Sequence, residues 1–307
     1  MLALVLLWVA GRVVMWASGV LPLWLVAAVD LAFLPALAIY AARVLLAAGN
    51  KRNLVLIVLL SLLTASNVLM HLGFTGLWPQ AGRLGEVLAL DLVAVIMIVI
   101  GGRITPAFTA NWLRVQGRDP SVVRLSATLD RWALVTALLM VPADLVTGTP
   151  WLGALAALTA ALVNGWRLLQ WRGWRAANEP LLWILHIGIA WIVVALLLKA
   201  ATPLFALNPS VWMHAMGAGA IGTLILGVMT RVSLGHTGRP MRLPAGALII
   251  YASVLLAALA RLAAALNLVD YRLSLIVSAL GWIVAFVVFL GLYWPILSSP
   301  RADGRPG

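Results

Sequence analysis

Ten stretches of nearly unbroken apolar residues divide this chain, at roughly 2–18, 20–42, 54–74, 86–102, 131–148, 151–169, 181–202, 210–232, 244–264 and 273–295. At 1.5 Å of rise per helical residue, a run of this kind spans most or all of the ~30 Å hydrocarbon core of a bilayer. Backbone in lipid must satisfy its own polar groups, and successive apolar runs of this length do so as helices. With 64% of residues apolar and 10% charged, a water-soluble globular domain is excluded by its own surface requirements. The expected fold is all-α, a polytopic transmembrane helix bundle of about ten spans. Residues 1–297 form its single membrane domain. The tail at 298–307, with Pro300, Pro306, Arg301 and Arg305, is expected to be disordered and cytoplasmic.

The formal charge of +12 follows from topology and gives no reason to expect a nucleic-acid partner, because the basic residues are scattered among connections and form no single patch. One alternate set of segments holds Arg43, Lys51, Arg52, Arg103, Arg114, Arg118, Arg124, Arg131, Arg167, Arg172, Arg175, Arg231, Arg239, Arg242, Arg301 and Arg305. The intervening set holds only Arg83, Lys199, Arg261 and Arg272. By the positive-inside tendency both termini are expected on the cytoplasmic side. Tryptophans near proposed span ends, such as Trp24, Trp78, Trp151 and Trp294, fit interfacial belts facing the lipid bilayer. The longest polar connection, Thr105 to Arg131, is expected to be a solvated cytoplasmic loop.

The chain has no cysteine. Thiolate-ligated haem, iron–sulfur clusters, cysteine-type zinc sites and disulfides are thereby removed, which leaves histidine, methionine, carboxylate and carbonyl as metal ligands. The four histidines sort two and two by depth. His71 ends the third span on a face shared with Thr64 and Asn67, at i, i+3 and i+7. His214 opens the eighth span, so His71 and His214 are expected as an outer pair on two helices. His186, early in the seventh span, and His236, just past the eighth, are expected on the inner side. His214 and His236, separated by about 33 Å of helix, cannot share a site.

Imidazoles from two helices are a common way to hold haem iron, and imidazole with methionine suits copper. Met70 and Met213 adjoin the outer histidines, but helix neighbours project about 100° apart and seldom share a target. The opposing view is that a lone histidine at a span end is an interfacial or hydrogen-bonded residue. Small residues four apart, Ala215/Gly219 and Ala218/Gly222, let another helix come close or leave room for a flat macrocycle. Arg12 and Asp30, each about ten residues into a span, are expected as a structural ion pair. Asp91 has no assigned role.

The stretch GAIGTLILGVMTRVSLGHTGRP at 219–240 closely resembles the signature of the NnrS family, polytopic bacterial membrane proteins associated with resistance to nitric oxide and reported to carry haem and copper. LWVAGR at 7–12, KRN at 51–53, SNVLMHLG at 66–73, GGRITPAFTANWL at 101–113 and LHIGIAW at 185–191 follow in the family's order. The resemblance implies a bacterial inner-membrane location, haem and copper as cofactors, and His71, His186, His214 and His236 as cofactor- and metal-binding positions, with haem and copper unassigned among them. It implies a role in the nitric oxide and nitrosative stress response, protecting cytoplasmic iron chemistry. Family members usually begin with two further helices bearing closely spaced histidines, and the chain is expected to be abbreviated by that amount. No residue separates nitric oxide turnover from sensing or sequestration, and a classical enzyme is not expected. A small-solute transporter, using Arg12, Asp30 and Asp91, and a structural membrane subunit are the readings from other classes.

Overall fold

A computed structural model describes residues 1–49, 54–146 and 150–305; the KRN stretch at 51–53 and Pro306 lie outside them. Among the described residues every regular element is helical. Eight helical segments are long and apolar enough to cross a membrane, and the chain is a multi-pass membrane protein. It divides into two compact units, Met1–Ile96 and Met97–Gly307.

The first unit comprises α1 (Leu2–Trp16), α2 (Leu23–Leu31), α3 (Phe33–Ala47), α4 (Val55–Phe74) and the first half of α5 (Pro79–Val115). At 15 residues, α1 is shorter than the eight spanning segments. One long apolar run became α2 and α3 because Pro35 has no N–H for the Leu31 carbonyl, and the helix breaks at Ala32. Gly11 brings α1 onto α2, where a Cβ would lie 3.1 Å from an Asp30 carboxylate oxygen. Gly73 and Gly82 do the same for α4 and α5: a Cβ on Gly73 would sit 2.5 Å from the Gly82 backbone. Next to that crossing, Ser66 Oγ donates to the Gly85 carbonyl at 3.1 Å.

The second unit holds the rest of α5, then α6 (Ala127–Leu145), α7 (Pro150–Gln170), α8 (Pro180–Ala201), α9 (Ser210–His214), α10 (Gly222–His236), α11 (Leu248–Ala265) and α12 (Tyr271–Ser298). Helix starts carry side-chain caps: Ser126 for α6, Glu179 with Pro180 behind it for α8, and Asp270 for α12. Most of α8 is buried, whereas α12 leaves most of its apolar surface for lipid. The axis from α9 to α10 is continuous but passes through a π-helical turn at Ala215–Ile221. Its glycines are filled by side chains, since Gly219 lies under the Trp191 ring and Gly222 under Trp282. The small-residue pattern therefore serves helix packing here.

Three expectations need correction. The connection expected from Thr105 is helical as far as Val115, because α5 runs 37 residues through Pro106 and turns Thr105, Thr109 and Leu113 inward. Arg167, Lys199 and Arg231, counted above as connection charges, are buried inside α7, α8 and α10. Arg167 donates to Asp130 at 2.7 Å and to the Ile98 carbonyl at 3.1 Å, while Lys199 pairs with Asp144 at 2.5 Å. Finally, residues 299–305 of the expected disordered tail are folded back: the Ala302 N–H bonds the Thr237 carbonyl at 2.9 Å, and Arg301 bonds the His236 carbonyl at 2.9 Å.

Candidate functional site

In the first unit, Asp30 gathers three donors. Arg12 Nη2 donates to its Oδ1, and Asn67 Nδ2 and His71 Nε2 reach its Oδ2 at 3.1 and 2.9 Å. Asp30 is 5% exposed and His71 6%, so this is a buried carboxylate with its lone pairs well used. A carboxylate only accepts, which places the His71 proton on Nε2 and leaves Nδ1 a bare lone pair. Nδ1 is buried and has no hydrogen-bond partner.

The same ring lines a cavity of about 370 Å³ with Arg12, Met15, Asp30, Asn67, Met70 and Glu86. Met70 and His71, neighbours whose side chains diverge on an ideal helix, thus border one space, joined by Met15 from α1. Thr64, the third member of the α4 polar stripe, donates instead to the Leu60 carbonyl of its own helix at 2.9 Å. Asp91 is buried in α5.

His186 in the second unit is held differently. Thr109 gives its one hydroxyl hydrogen to the Thr105 carbonyl at 2.8 Å, so across the 2.9 Å contact it accepts from His186 Nε2. On the other edge Nδ1 lies against Gly173, where a Cβ would overlap the ring. Trp171 stands edge-on at 6.2 Å between centroids and in turn carries the Arg167 guanidinium 5.1 Å above it. Gly102 makes this possible, because the guanidinium occupies the space its Cβ would need. The adjoining cavity of about 310 Å³ is apolar apart from His186, with Trp174 and Trp183 among its walls.

His214 is half-buried at the start of the π-helical turn, and beside Gly217, three residues on, there is open space. His236 is exposed at the end of α10. The antiparallel register of α8 and α10 sets Gly188 against Leu224 and Gly227 against Ile184 and Leu185. His186 therefore lies about 14 Å along the axis from His236, and about as far from His214 in the opposite direction. The inner histidines are not brought together. His71 and His214 fall in different units, and among the described residues no group of three His, Asp or Glu side chains converges on a metal position.

Sequence reasoning had Arg12 with Asp30, and Asn67 with His71, but as two separate features. It missed Thr109, Gly173 and the π-helical turn. The glycine pair at 101–102 was the available signal for close approach, since adjacent glycines inside a helix usually mark one.

Fold and site together define a multi-pass helical membrane protein with a buried carboxylate–imidazole pair facing a sulfur-bearing cavity. The family model described as "NnrS protein" matches residues 1–301, and the chain belongs to the NnrS family. No curated protein and no solved structure matches it.

Proposed function

We propose that this protein acts in the response to nitric oxide, in the cytoplasmic membrane of a bacterium, as a copper- and haem-binding protein. One observation carries the copper part: His71 presents an unpartnered Nδ1 beside a cavity bordered by the thioethers of Met15 and Met70. Thioether and imidazole together favour Cu(I) over harder divalent ions. A ligating imidazole characteristically gives its other N–H to a carboxylate, and Asp30 already receives it. Copper and haem, when bound, supply one-electron redox chemistry and a position at which nitric oxide coordinates.

The chain's own residues divide the remaining work. Asp30 fixes the His71 tautomer and ring, and Arg12 and Asn67 fix Asp30. For haem, His186 does not fit as an axial ligand, because Nε2 is committed to Thr109 and Nδ1 is closed off by Gly173. His214 is the better candidate, standing half-buried at a π-helical turn with open space beside Gly217; such turns recur at functional sites. Both termini are assigned to the cytoplasm on the charge alternation of the connections.

Copper titration and difference spectroscopy on the purified protein test this reading. Wild type is expected to take up one Cu(I) and to show a Soret band after expression with added haem. His71→Ala should lose the copper and keep the band, and His214→Ala should perturb the band. Full copper uptake by His71→Ala sinks the copper assignment, and no Soret band in wild type sinks the haem part.

A further inference from the structure

A second polar feature lies in the Met97–Gly307 unit and plays no part in the proposed metal sites. Arg231, on α10, is only 8% exposed, yet among the described residues its guanidinium makes no hydrogen bond and no ion pair. Nε is fully enclosed without a partner. The one close contact is the ring of Phe108 on α5, 4.2 Å from Cζ to the centroid. Glu179 and Tyr251 are the ionisable groups that face it. Glu179 is occupied in capping α8, where its Oε1 accepts from the Leu181 N–H at 3.2 Å.

A buried guanidinium with no counter-charge is among the costliest arrangements a fold can hold. Water would satisfy N–H groups but leave the charge uncompensated, whereas an anion does both. The Phe108 ring covers one flat face of the guanidinium, so a ligand must approach in the plane, along the edge where paired N–H groups point. That edge matches two oxygens of one planar group. More donors are at hand. Thr105, one turn before Phe108 on α5, has a buried hydroxyl with no partner. So has Tyr293, whose ring stacks on Phe289 at 4.7 Å. Beside Arg231, Thr230 gives its hydrogen to backbone carbonyls of α10 and accepts from Tyr251 at 2.7 Å, which leaves the guanidinium as the principal unsatisfied donor there.

We infer that Arg231 anchors a binding site for a small planar oxyanion of the carboxylate, nitrite or nitrate type. The guanidinium edge holds two of its oxygens, and Phe108 fixes the plane. The occupant neutralises a charge that the chain itself leaves bare.

Calorimetric titration of the purified, metal-free full chain with sodium nitrate and with sodium formate, in buffer free of small anions, tests this directly. Both probes should bind saturably at one site, at least tenfold more tightly than chloride, and should raise the thermal unfolding midpoint as ligation of the native state requires. Arg231→Gln should weaken both by tenfold or more. Arg231→Lys keeps the charge and loses the planar fork, so nitrate should lose its preference over chloride; this variant serves if the glutamine form does not fold. Glu179→Gln should leave binding intact. Absence of saturable binding to wild type overturns the proposal, as does undiminished nitrate affinity in Arg231→Gln or an undiminished nitrate preference in Arg231→Lys. His71→Ala should bind nitrate like wild type, so the oxyanion site and the copper reading fail or survive separately.

Discussion

His71 and His186 are both buried histidines on membrane helices, and both give Nε2 to an oxygen. At His71 that oxygen belongs to a charged carboxylate, and the opposite nitrogen is left bare beside a cavity. At His186 it belongs to a neutral hydroxyl, and the opposite nitrogen is closed off by the chain at Gly173. An imidazole's fitness as a ligand is thus decided by what its other nitrogen does and by the space before the free one. Residue type and burial are nearly the same in the two cases.

Three substitutions can break or sharpen that contrast. The largest effect is expected at Asp30: Asp30→Asn removes the charge that orients His71, and Cu(I) affinity should fall on the order of 10–100-fold, as for other outer partners of metal ligands. Competition with a colorimetric Cu(I) chelator reads this, and an unchanged affinity would show that the carboxylate does not set the tautomer. Next is Gly173→Ala. Its Cβ would overlap the His186 ring, and overpacking of this kind costs about 1–3 kcal/mol, seen as a lower thermal midpoint with copper uptake unaltered. If the midpoint held, His186 would have room to turn, and its exclusion as a haem ligand would lapse. Smallest is Thr109→Val, which leaves the His186 N–H without an acceptor at a cost of about 1–2 kcal/mol. Any change in copper affinity there would mean that the two histidines are not independent.

How much of this was legible depended on whether the signal lay along one helix or between helices. The apolar runs were readable because lipid imposes one solution on each run separately. The Arg12/Asp30 and Asn67/His71 pairs were legible individually, yet depth counting put Asp30 at mid-membrane and His71 near the outer surface. The count failed because α2 starts at Leu23 and is interrupted at Ala32, so Asp30 lies next to its end, while His71 lies three residues inside the end of α4. Arg167, Lys199 and Arg231 misled for a related reason. Arginine or lysine near a span end normally snorkels to water, but Asp130 and Asp144 draw the first two inward, and Phe108 covers the third. Thr109 opposite His186 was not readable, since 77 residues separate them.

By itself the sequence determined that this is a helical membrane protein, from which residues its helices form, and, through motifs spread over nearly the whole chain, its family. Those properties are local, set by hydropathy over twenty residues or by short strings. Only the tertiary structure decided which histidine keeps a lone pair free, which is sealed, and which arginine is buried with no counter-charge, because each depends on atoms brought together from distant helices.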